Sequence, residues 1–101
     1  MIVRLTYCKF SPDVINEAKK IYNRDVVPVA KMQKGNLGIR LIEPVDKSDD
    51  FVSISEWATQ QDAEAYESSG VYKNLVNKLA DFLAKPPVLK TYTAEEVLEV
   101  H

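Results

Sequence analysis

The chain holds one cysteine, one histidine and three glycines in 101 residues, and these scarcities narrow the classes of function open to it. A lone Cys8 makes no intrachain disulfide, which fits a reducing, cytoplasmic setting. The single histidine is His101, so there is no Cys/His set at zinc-ligand spacing and no metal is expected. Positive charge is thin as well. Thirteen Lys and Arg stand against 15 Asp and Glu, the net charge is -2, and no basic run exceeds Lys19-Lys20. A nucleic-acid partner calls for a concentrated basic stripe, so none is expected. Apolar runs last only a few residues, too short for a bilayer span, and MIVRLTYCKF reaches Arg4 and Lys9 before a signal-like run develops. Neither a membrane segment nor a leader is expected.

What the chain does have is 46% apolar residues, enough for the core of one domain. A domain this short buries a limited share of its surface, so its stability is expected to draw on a partner subunit.

The apolar periodicity sets out the elements. In 2–10, Val3, Leu5 and Tyr7 alternate with Ile2, Arg4, Thr6 and Cys8, the period of a first strand. Ser11-Pro12-Asp13 reads as a helix start with a hydroxyl cap and a proline in the first turn. Val14, Ala18, Ile21 and Tyr22 form the apolar stripe of that helix. Pro28 is expected to kink or pause it around Asp25 to Pro28; it then resumes through Val29 to Gln33 and stops at Gly35. A second strand spans Leu37 to Glu43, with Leu37, Ile39 and Leu41 on one face and Gly38, Arg40 and Ile42 on the other. The third spans Phe51 to Trp57. The polar PVDKSDD between them reads as a solvated hairpin, since Asp46, Asp49 and Asp50 lack the spacing of a calcium loop.

Thr59-Gln60-Gln61-Asp62 is close to a capping box and opens a second helix, which breaks and restarts at Ser68-Ser69-Gly70. Its later half carries the stripe Tyr72, Leu75, Val76, Leu79, Phe82 and Leu83. Pro86-Pro87 ends it, and Val88 to Thr93 alternates as a fourth strand. Residues 1–93 thus read as a single domain and 94–101 as a tail, with helix, strand and fraying all open for the tail. The order strand, helix, strand, strand, helix, strand is the ferredoxin-like βαββαβ arrangement of the α+β class, with both helices on one face of an antiparallel sheet. Whichever face the helices leave bare exposes apolar rows, which points to a face-to-face homodimer.

Six residues stand out as lining a pocket. Trp57 ends a strand and can stack on an aromatic ligand, the plainer reading being a core tryptophan. Tyr66 and Tyr72 flank the Gly70 break, Tyr72 within the apolar stripe and Tyr66 outside it. Arg4 and Arg40 sit mid-strand, where a cation requires a carboxylate, a partner subunit or an anionic ligand; for Arg40 the plainer reading is a cross-strand pair with Glu56. Cys8 has no histidine to lower its pKa and reads as a buried structural thiol rather than a nucleophile.

Trp57-Ala58-Thr59, the run DAEAYESSGVYKNL, Pro86-Pro87, Tyr92-Thr93 and the Gly35-Asn36-Leu37-Gly38 before the second strand together resemble the antibiotic biosynthesis monooxygenase (ABM) family of dimeric α+β barrels. The resemblance covers nearly the whole chain, to Tyr92. It implies a pocket between helices and sheet for a small, often aromatic molecule, and oxygenation without flavin or metal, hence no cofactor. A haem-degrading branch of the superfamily uses an Asn on the first strand, a Trp in the second helix and an iron-ligating His. Those positions fall at Cys8, Tyr66 and Val76, so none of the three roles is filled and haem degradation is not expected. The branch acting on polyketide phenols places an Asn and a Tyr at positions that fall near Ser53 and Ala63. The resemblance leaves two readings: a cofactor-independent monooxygenase of a small phenol or quinol, and a non-catalytic ligand-binding or structural dimer.

Overall fold

In the computed structural model, which describes residues 1–95, strand β1 (Ile2–Cys8) lies at the centre of the chain's pairing scheme. It pairs antiparallel with β3 (Phe51–Trp57) on one side and β4 (Val88–Thr93) on the other, and β2 (Asn36–Ile42) adds to β3. The order β2-β3-β1-β4 is the ferredoxin-like one. The part of the tail from residue 96 to 101 lies outside the described residues.

Register decides which residues face the helices. Ile2, Arg4, Thr6 and Cys8 stand opposite Trp57, Ser55, Ser53 and Phe51, and this face is the buried one. In both strands apolar ends enclose a polar middle. Onto this face fold α1 (Ile15–Ile21), α2 (Val27–Lys31), α3 (Gln60–Ser68) and α4 (Val71–Leu79), which bury Ala18, Ala30, Ala63, Tyr66, Leu75 and Leu79. The main core joins Ile2 and Trp57 to Tyr22, Val26, Tyr66, Leu75 and Leu79. A smaller cluster joins Cys8, Phe10, Ala18 and Phe51, with the Phe10 and Phe51 rings edge-on at 5.1 Å.

Three local expectations are revised. The first helix opens as a short 3-10 turn, Pro12–Val14, and the Ser11 side chain makes no capping bond. No pause occurs before Pro28. Instead a π-helical turn, Tyr22–Val26, runs directly into α2, with the Val27 N–H donating to the Tyr22 carbonyl. Proline offers no N–H to the preceding turn and its ring crowds that turn's carbonyls; widening the turn absorbs both defects without ending the helix. In β2, a bulge between Asn36 and Gly38 takes Leu37 off the Ile39 and Leu41 face and leaves it 58% exposed.

Other expectations hold. Thr59 caps α3, its Oγ1 accepting from the Asp62 N–H at 3.1 Å. Gly70 breaks the helix with φ 88°, and Gly35 follows α2 with φ 79°. A Cβ on Gly35 would stand 2.1 Å from Asp62 Oδ2, so the chain needs glycine there for both conformation and space. In the polar hairpin Asp46 closes a turn by accepting from the Ser48 N–H and Oγ, which holds its carboxyl below the usual range.

Candidate functional site

The polar middle of the sheet forms the floor of a cavity. Arg4 faces Ser55, Thr6 faces Ser53, and Tyr22 and Tyr72 descend from the helices to meet them. The Tyr22 hydroxyl is 2.7 Å from Ser53 Oγ, and the Tyr72 hydroxyl is 3.1 Å from Thr6 Oγ1. Leu75, Val76, Leu79, Ile39 and Leu41 supply apolar wall. The cavity volume is about 40 Å³. That is room for roughly three waters, well below the hundreds of Å³ typical of drug-sized ligand pockets.

Arg4 dominates the electrostatics. It is 3% exposed, and its Nη1 donates to the Ala63 carbonyl at 3.1 Å and to Glu67 Oε1 at 3.4 Å. The carbon of the guanidinium lies 5.3 Å from the Tyr72 ring centroid, a cation–π contact. Its Nε and Nη2 are buried with no hydrogen-bond partner among the described residues. Each unpaired donor of this kind costs on the order of 1–3 kcal/mol, more when charged. A guanidinium cannot escape that cost by losing its proton.

The acidic side chains of the lining all hold their protons at neutral pH. Burial pushes the Cys8 thiol up to about 11, helped by the Asp50 charge. It pushes Tyr22 up to about 12, against the Ser53 hydrogen bond, which favours the phenolate. Tyr66 and Tyr72 are likewise raised above the ordinary phenol value, burial being the larger cause in each. These groups donate hydrogen bonds at neutrality and do not serve as bases.

Of the six residues singled out in the sequence, Arg4, Cys8, Tyr66 and Tyr72 line this cavity. Trp57 stands behind it. It is fully buried, donates through Nε1 to Ser55 Oγ at 2.9 Å, and supports the Tyr66 ring at a centroid distance of 4.6 Å. Arg40 is on the opposite face of the sheet, exposed and opposite Ile54. It makes no ion pair with Glu56 among the described residues; the regular register sets Arg40 opposite Ile54 and Gly38 opposite Glu56. Sequence reasoning passed over Thr6, Ser55 and Glu67, reached Ser53 only through the family resemblance, and took Tyr22 only as core. The available signal was the shared parity of Arg4 with Thr6 and of Ser53 with Ser55, two polar pairs at strand positions whose neighbours in the same row are apolar.

A cavity between one sheet and the helices on its face, with a buried arginine beside tyrosines, is set in an α+β domain. The chain belongs to the antibiotic biosynthesis monooxygenase family, whose model matches residues 1–78. Among solved structures it is similar to a putative antibiotic biosynthesis monooxygenase from Nitrosomonas europaea, with a TM-score of 0.74 and 24% identity over 93% of this chain and 98% of that one. A putative antibiotic biosynthesis monooxygenase from Deinococcus radiodurans aligns at a TM-score of 0.81 with 11% identity, covering 100% of this chain and 99% of that one. A mutant of MhuD with two manganese protoporphyrin IX molecules per active site aligns at 0.76 with 18% identity, again over 100% and 99%. At these identities the likeness speaks for the fold. No protein of curated function matches the chain significantly in sequence.

The residues of this cavity do not fit a haem. Val76 offers no ligand atom to iron, Cys8 holds its proton on a thiol raised to about 11, and the 40 Å³ space is far below a porphyrin's size. Among the described residues there is no group of His, Cys, Asp or Glu side chains arranged to hold a metal ion, and no helix long and apolar enough to cross a membrane.

Proposed function

We propose that this chain is a cofactor-independent monooxygenase that works as a homodimer on a small phenolic or quinol-type substrate bound as its anion above Arg4. The observation that carries the reading is the buried guanidinium with two unpaired donors beside a largely apolar cavity. Family membership supports the reaction class. Oxygenation of a quinol asks for an electron-rich anion that passes an electron to O2, in a space that keeps the resulting radical pair from water. No protein reductant is required in the balance: one oxygen atom enters the ring, the other leaves as water with two substrate hydrogens, and the ring ends at the quinone level. In this reading Arg4 favours the anion electrostatically and the tyrosine hydroxyls orient it. The tyrosines and Cys8 hold their own protons too firmly to take the substrate's.

The experiment is oxygen consumption with a panel of single-ring and bicyclic hydroquinones. Uptake above buffer, greatest for single-ring substrates, supports the proposal. Uptake equal to buffer with every substrate, with and without added flavin, rejects it.

A second reading, a binding module with no catalytic task, is favoured by one observation: the cavity is about 40 Å³, so even a single ring requires side chains to move. Tight binding without oxygen uptake is the result that would establish it.

A further inference from the structure

The buried edge of Arg4 carries a claim about ligand chemistry. Nε and Nη2 form one side of the planar guanidinium, the side whose two N–H groups run parallel, and both are the atoms left without partners. Nη1, at the other end, is already held by the Ala63 carbonyl and Glu67. We propose that the cavity is a carboxylate site, in which a small organic monocarboxylate accepts two parallel hydrogen bonds from Nε and Nη2 of Arg4.

Three features select a monocarboxylate. A carboxylate is the planar, two-oxygen anion that matches this edge, whereas chloride accepts at a point. The local charge is a single cation already shared with Glu67 at 3.4 Å, so a doubly charged phosphate would leave negative charge uncompensated in a buried place. Beyond the polar floor the lining is aliphatic, with Ile39, Leu75 and Leu79 suited to an apolar organic remainder. The hydroxyls reinforce the head group. Each of the pairs Tyr22/Ser53 and Tyr72/Thr6 uses one hydroxyl hydrogen internally, which leaves a second free to donate to an anion. Neither Nε nor Nη2 is exposed, so the ligand enters by displacing a wall. Tyr72 is the candidate wall: it sits on α4 two residues past the Gly70 break and is held by one hydrogen bond to Thr6, a cation–π contact with Arg4 and an edge-on contact with Tyr66 at the rim of the core.

This is a claim about the site alone. Oxygen uptake reports on the reaction and the Arg4 side chain reports on the site, so either reading can fail without the other.

The test is a titration of the intact protein with acetate and propionate, following the Arg4 Nε–H resonance in proton–nitrogen spectra. Sodium chloride and acetamide at matched concentrations serve as controls. The expected result is a saturable downfield movement with a Kd on the order of 0.1–10 mM, as suits a ligand of a few heavy atoms, with no response to either control. In parallel, acetate is expected to raise the Tm of the wild-type chain and not that of Arg4→Lys, which keeps the charge and loses the parallel edge. If Arg4→Lys does not fold, the wild-type titration decides alone. A resonance unmoved by both carboxylates overturns the proposal, because the edge is then satisfied by ordered water only. Equal movement with chloride overturns it too, since that is a response to ionic strength.

Discussion

Arg4 replaces what would ordinarily be an aliphatic residue at the middle of a core strand, and its neighbours are chosen to suit it. Ser55 and Thr6 flank it on the floor, Glu67 meets it from α3, and Tyr72 faces it from α4. If the arginine serves the reaction, Arg4→Lys is expected to lower kcat/KM for hydroquinones by about 10²-fold per folded molecule, as loss of an oriented charge donor does. If it served only the fold, stability would fall and residual activity per folded molecule would not. The Tyr22 hydroxyl offers a separate measurement. Tyr22→Phe removes the 2.7 Å bond and leaves Ser53 unpaired, for an expected loss of about 1–2 kcal/mol in denaturant unfolding. Alkaline pH tests the burial of these groups. Cys8 and Tyr22 are acids that burial pushes up to about 11 and about 12, above their ordinary values of 9.0 and 10.0. Between those values the folded state keeps a proton that the unfolded state has lost. Stability is therefore full below about pH 9 and declines as pH rises toward 12, by roughly 1–3 kcal/mol per group. Urea midpoints measured between pH 8 and pH 11 check this; a midpoint that rises over that range contradicts it.

At the scale of elements, the turn ahead of Pro28 matters most. The π-helical turn carries both Tyr22 and Val26 to the cavity wall, and wide turns of this kind recur at functional sites. Pro28→Ala restores a donor, and the expected outcome is a change in ligand affinity larger than the change in stability, read by the acetate titration and by urea unfolding together. Gly35 is the less forgiving of the two glycines with positive φ. Gly35→Ala meets Asp62 as well as an unfavourable backbone, whereas nothing lies within 4 Å of a Cβ on Gly70. Gly70→Ala is expected to lower stability by about 1–2 kcal/mol and Gly35→Ala by more, measured by denaturant unfolding. The Thr59 start and the Gly35 and Gly70 stops were legible in the sequence because caps and glycines act locally; the last helix instead ends at Leu79 and a 3-10 turn to Phe82, ahead of Pro86-Pro87. The π turn and the Asn36/Gly38 bulge were not legible. Each inserts a single residue into a regular pattern, and the periodicity on either side reads the same until partners fix the register.

Over the whole molecule, the two faces of the sheet are unequal in an unexpected sense. The helix-covered face has a polar centre, while the bare face carries Val3, Leu5 and Tyr7 beside Val52 and Ile54, with Ile42, Val88 and Tyr92 substantially exposed. Apolar residues of this face, interspersed with Lys90, Arg40 and Glu56, are the surface that the proposed homodimer would cover. Ile54→Lys introduces a charge at the middle of that face. The expected outcome by light scattering at micromolar concentration is dimer mass for the wild type and monomer mass for the variant. A monomeric wild type would sink the homodimer.

The sequence by itself determined the βαββαβ order, the strand and helix limits to within a few residues, and the absence of iron-ligating histidine at Val76, because periodicity and breaker residues are local properties. It also marked Arg4, Tyr66 and Tyr72 as residues needing an explanation. Which parity of each strand faced the helices was settled only in the tertiary structure. A two-residue period has two equally regular faces, and the alternation alone left both open. Strand pairing placed Arg4 beside Ser55 and Thr6 beside Ser53, sent Arg40 to the far side, set Trp57 behind Tyr66, and left two donors of a buried guanidinium without partners among the described residues. The two strand pairs on the cavity floor join residues about 50 apart in the chain, and no local pattern encodes them.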